Sequence, residues 1–109
     1  MIMFALLAAA HGGHPGDPVF AYKTCLAPIV IANEKAGANH KSLEEVLRLI
    51  AVRCAKQRER AADELFGLIV EATPDLRPPP SEADKEALIQ ESTVRWANDV
   101  VAGMVGEEQ

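Results

Sequence analysis

Two cysteines, Cys25 and Cys54, constrain the fold of this 109-residue chain more than any other feature. Both sit on apolar stripes of helical spacing. They lie equally far on either side of the junction between Asn39 and His40, inside the turn-like stretch "GANH". If the flanking segments fold back as an antiparallel helical hairpin, the two sulfurs fall at one height on facing stripes. There is no C-x-x-C, and zinc asks for four ligands, so neither a redox motif nor a metal site accounts for the pair. The spacing therefore predicts a Cys25–Cys54 disulfide, with two buried reduced thiols as the alternative. Closing a loop of this length stabilises a fold by about 3.5 kcal/mol on the chain-entropy model.

The segments around the cysteines read as helices. From Pro18, Phe20, Ala21, Cys25, Ile29 and Ala32 form a stripe widened by Val30 and Ile31, ending before Gly37. Pro28 lies inside it and predicts a kink or two short helices. Ser42 and Glu45 form a capping box, after which Leu43, Val46, Leu47, Ile50, Ala51 and Cys54 recur at helical spacing. The pattern resumes at Ala61, Leu65, Leu68, Ile69 and Ala72, which predicts one helix of roughly 46 Å from Ser42 to Ala72 unless Gly67 breaks it. "TPDLRPPPS", residues 73–81, is a stop followed by a stiff proline linker.

Ser81 with Asp84 opens a third helix with a face of Ala87, Leu88, Val94, Ala97, Val101 and Met104. A second stripe on it is Ile89, Thr93, Trp96 and Val100. Folding back about Arg77 sets Leu88 opposite Phe66 and Val100 opposite Cys54. No strand pattern occurs, and 49% apolar with 25% charged residues is ordinary for a globular chain. The expected fold is all-α: a disulfide-stapled antiparallel helical hairpin plus a third, C-terminal helix, forming one helical domain over residues 18–109.

The first ten residues, "MIMFALLAAA", are apolar and end in small residues, with Ala8 and Ala10 at the −3 and −1 positions of an A-x-A cleavage site. They read as a short signal peptide with an uncharged n-region, followed by a flexible spacer over residues 11–17. An apolar run of this length reaches only about 15 Å as a helix, too short for a transmembrane segment. Export and the disulfide support each other, because disulfides persist in exported proteins and are rare in the cytosol. The other reading keeps the apolar start in the core of a cytosolic helical interaction module.

With "AYKTC" on the first helix and "RCAKQRER" on the second, residues 1–66 resemble small exported two-cysteine helical proteins of Gram-negative bacteria. The resemblance implies a periplasmic or secreted location and no particular activity.

Charge narrows the partners. The net charge is −5, with residues 41–60 carrying six Lys/Arg against three Asp/Glu and residues 61–109 three against eleven. An acidic chain lacks the cations that neutralise a phosphate backbone, so nucleic acid is not an expected partner. Within the basic stretch, Arg53, Lys56 and Arg60 form a ridge on one side of the expected second helix, either a solvated face or a contact for an anionic surface. Cleavage after Ala10 would leave His11 as the amino terminus. Its amine and imidazole, with His14, make a nitrogen-rich set that favours Cu(II); the plainer reading of His11 and His14 is a polar spacer, with no cofactor.

Nothing in the sequence marks an enzyme. Ser42 and Ser81 are better explained as helix caps, Ser92 lies in no G-x-S-x-G context, and H-E-x-x-H and phosphate-cradling glycine loops are missing. What remains is protein contact. The apolar run "LFGLIV", with Phe66 and Val70, extends beyond the first helix, and Ile89 and Trp96 lie on the second stripe of the third helix. That stripe either closes the core of the monomer or presents a surface to a second copy or another protein. The expected function is a non-catalytic structural or protein-binding role outside the cytoplasm, with amino-terminal copper binding as the alternative.

Overall fold

The computed structural model describes residues 16–75 and 80–108. Four α-helices occur among them: α1 (Pro18–Lys35), α2 (Leu43–Arg53), α3 (Ala55–Ala72) and α4 (Glu82–Glu108). The described residues form no strand, and the fold is all-α. The expected signal peptide, residues 1–10, and most of the spacer lie outside the described residues. Asp17, assigned to the spacer from the sequence, is instead the N-cap of α1, its carboxylate accepting the N–H groups of Val19 (2.8 Å) and Phe20 (3.4 Å).

α1 runs unbroken through Pro28. Pro28 and Thr24 are both exposed, so the one carbonyl deprived of its helical partner is open to solvent and the helix neither splits nor ends there. The turn that follows is a single 3₁₀ turn, Gly37–Asn39, entered by Gly37 in the left-handed region at φ 57°. Asn33 clamps its far side: its side-chain oxygen accepts the Lys41 N–H at 2.6 Å and its amide donates to the Lys41 carbonyl at 3.2 Å. Ser42 then caps α2 by accepting the Glu45 N–H at 3.2 Å.

The second arm of the hairpin departs from the single helix expected. It breaks at Cys54, where φ is −112° and ψ 27°, and Gly67 lies undisturbed inside α3. The two halves have different neighbours: α2 packs on α1, whereas α3 packs on both α1 and α4. Cys54, tied to α1, is the pivot between them. Downstream, Ser81 and Asp84 cap α4 reciprocally, through Ser81 N–H to Asp84 Oδ2 (2.8 Å) and Asp84 N–H to Ser81 Oγ (3.3 Å).

α1 and α2 run antiparallel, as Cys25–Cys54 and Asn33–Lys41 show. α3 and α4 are also antiparallel, with Lys85 on Asp63 and Arg58 on Gln90. These pairs centre the fold-back on Pro74 rather than Arg77. Phe66 and Leu88 still line one groove, but Val100 sits beside Leu26 and Trp96 instead of opposite Cys54. α4 consequently lies parallel to α1, with Thr93 against Tyr22.

The core comprises Val19, Tyr22, Leu26 and Val30 of α1, Val46 and Ile50 of α2, Cys54, Ala61 and Ala62 of α3, and Ile89 and Ala97 of α4. Two expected faces are rotated. On α1 the buried line is Val19, Tyr22, Leu26, Val30, with Cys25 and Ile29 half-buried beside it; on α4 Ile89 and Thr93 of the second stripe are buried together with Ala97 of the first.

Candidate functional site

Cys25 and Cys54 form a disulfide with their Cα atoms 6.0 Å apart, within the ordinary range for such a bridge. Cys54 is fully buried. The bridge therefore lies within the packing of α1 on the second arm.

One turn away from the bridge, a polar network crosses the core. Thr93 donates its hydroxyl to the Ile89 carbonyl at 2.6 Å, which leaves its oxygen to accept from the Tyr22 hydroxyl at 2.7 Å. The Tyr22 ring meets Trp96 edge-on with centroids 5.9 Å apart, and Lys23 Nζ stands 5.0 Å from the Trp96 ring centre. Arg58 borders the network and binds Glu86 through both guanidinium nitrogens, at 3.1 and 2.7 Å, with Gln90 at 3.2 Å. Lys85 bridges Asp63 at 2.8 Å and Glu82 at 3.1 Å.

The electrostatics fix each group in its ordinary state. Burial pushes the Tyr22 phenol up. The hydrogen bonds from Arg58 hold the Glu86 carboxyl below its usual range, and the same bonds raise the guanidinium. Hydrogen bonds to Asp63, then to Glu82, raise Lys85. A general acid or base needs a pKa moved toward the working pH, and every one of these shifts runs the other way.

The residues singled out from the sequence separate in the structure. Ile89 is fully buried and is closed to any partner, and Trp96 is half-buried against the core, so the stripe they share completes the packing of α4. Phe66 is half-buried and Val70 is exposed. Because of the break at Cys54, Arg53 ends α2 while Lys56 and Arg60 belong to α3, so the basic ridge is not one helix face. His11 and His14 lie outside the described residues. Among the described residues no three His, Cys, Asp or Glu side chains gather as a metal site, and no helix is long and apolar enough to cross a membrane. Tyr22, Thr93, Arg58 and Glu86 were not legible as a unit. Their only signal was a tyrosine among the apolar residues of α1 and a threonine on the Ile89–Trp96 stripe of α4.

Of the open grooves among the described residues, one of about 300 Å³ lies between α1 and α4 beside Lys23, Trp96 and Asp99, and two lie along the second arm. Between α1 and α2 a groove of about 400 Å³ is lined by Pro28, Ile29, Ala32, Leu49, Lys41 and Arg53, and its outer lip carries Val52, 73% exposed, and Arg48. At the opposite end of the second arm, a groove of about 390 Å³ between α3 and α4 is lined by Phe66, Ile69, Pro80, Ala87 and Leu88, with Asp84 and Glu91 on its rim. No known family model, curated protein or solved structure matches the chain.

Proposed function

We propose that this chain is a small exported helical protein of the periplasm with a non-catalytic, protein-binding role. The observation that carries the reading is the Cys25–Cys54 bridge between α1 and the pivot of the second arm. A structural disulfide is at home in an oxidising compartment, where no glutathione pool reopens it. The A-x-A pattern at Ala8 and Ala10 gives the same direction. The polar network favours a binding role over catalysis, since its groups are paired and pushed away from neutral pKa values. Grooves on a rigid, stapled frame suit recognition of another chain.

Fractionation of the native host tests this. The protein is expected in the envelope fraction, inert to a thiol-alkylating reagent until reduced. Recovery from the cytosol with both thiols alkylated without reduction would replace this reading with that of a cytosolic module.

A further inference from the structure

The two surfaces along the second arm are complementary in charge. The outer face of α2 carries Leu49 and Val52, flanked by Arg48 and Arg53. Val52 is the most exposed large apolar side chain of the described residues, on a helix whose other face already fills the core. The α3–α4 groove is concave and apolar at its floor, through Phe66, Ile69 and Leu88, and its rim is acidic, through Asp84 and Glu91. A helix face laid into such a groove buries apolar side chains at i and i+3 while its cations meet the rim.

These surfaces cannot meet within one molecule. Residues 55–65 of α3 separate them and span about 16 Å. Nor does the groove suit its own image, since a groove-to-groove pair would press Asp84 and Glu91 against their copies. The charge of the whole chain has the same polarity, basic over residues 41–60 and acidic over 61–109. Among the described residues the Arg48 cation is held by an exposed contact with Glu44 at 3.5 Å, which leaves it free to exchange partners, and Glu44 and Glu45 are the opposing charges on this face.

We propose that a second copy of this chain is the occupant: the α2 face of one copy docks in the α3–α4 groove of the next, head to tail. Such an interface is heterologous and propagates, so each open assembly keeps one free face at one end and one free groove at the other. The proposal rests on the reading of this chain as a binding module and names its partner.

Sedimentation equilibrium of the oxidised full chain tests it, with Val52→Lys and Ala87→Lys as variants. Both positions are exposed, so each variant folds, which its melting curve verifies. The wild type is expected to show a weight-average mass that grows with concentration past twice the 11.7 kDa of one chain and falls as salt is added. Each variant alone stays monomeric. An equimolar mixture forms a 1:1 dimer and stops there, because one variant keeps a sound groove, the other a sound α2 face, and the two spoiled surfaces set lysine against lysine. A wild type monomeric at the highest attainable concentration overturns the proposal, as does association that survives in either variant. A mixture that stays monomeric contradicts the head-to-tail geometry. None of these outcomes bears on export, which is read from the cell fraction.

Discussion

Tyr22 and Thr93, 71 residues apart in the chain, share a hydrogen bond of 2.7 Å inside the core and so lock α4 to α1 in one register. Thr93 is doubly engaged, accepting from Tyr22 and donating to Ile89. Removing one partner strands the other. Thr93→Val is expected to cost about 1–3 kcal/mol because the buried phenol loses its acceptor, and Tyr22→Phe about 1 kcal/mol. The double variant should cost less than the two singles together. Urea denaturation of the four proteins measures this, and strict additivity would mean the bond contributes nothing to the register.

Stability is expected to fall at alkaline pH. The Tyr22 pKa is raised by burial, so the folded state holds its proton more tightly than the unfolded one. That contribution is complete below about pH 10, the ordinary tyrosine value, and is lost as pH rises through the folded-state pKa. Lys85, also raised, adds in the same direction. Glu86 acts at the other end: its lowered pKa contributes above the usual carboxylate range and is lost as pH falls, an effect of under about 1 kcal/mol because its carboxylate is largely exposed. Melting temperature against pH should therefore be flat around neutrality, and Tyr22→Phe should flatten the alkaline limb.

Core and surface part company among the four residues Phe66, Val70, Ile89 and Trp96. Ile89→Ala is expected to cost about 2–5 kcal/mol, as a fully buried side chain leaves a cavity. Val70→Ala should change stability by no more than about 0.5 kcal/mol, since Val70 is exposed at the end of α3. Equal losses from the two would contradict the packing of α4 on α1.

The hairpin and its staple were legible because they rest on arithmetic: two cysteines equidistant from a turn must meet if the arms are helices of equal rise. Caps were legible for a similar reason, at Ser42 and Ser81, where a short polar residue precedes an acidic one by three. Faces were harder. α1 is apolar on nearly every side, so periodicity cannot choose among its stripes, and the choice falls to Tyr22, whose hydroxyl finds an acceptor on α4. The break at Cys54 was hidden for another reason. No glycine or proline marks it, and it reflects a change of neighbours between α2 and α3 that only the assembled fold contains. The charge polarity was visible in the sequence, but its meeting with an exposed Val52 and an acidic groove needed the structure.

The staple itself predicts a sharp dependence on redox state. Reduction of the wild type should lower stability by about 3.5 kcal/mol, the loop-closure value, and Cys54→Ala should show that loss with no further response to reductant. Two free thiols would show the opposite, a wild type indifferent to reductant.

Intact-mass analysis of the protein taken from the envelope of its own host tests the exported, stapled reading most directly, because one spectrum reports both the amino terminus and the oxidation state. The expected mass is that of a chain beginning at His11 and lighter by two hydrogen atoms than the dithiol form. A chain that retains Met1 and carries both thiols reduced would contradict it.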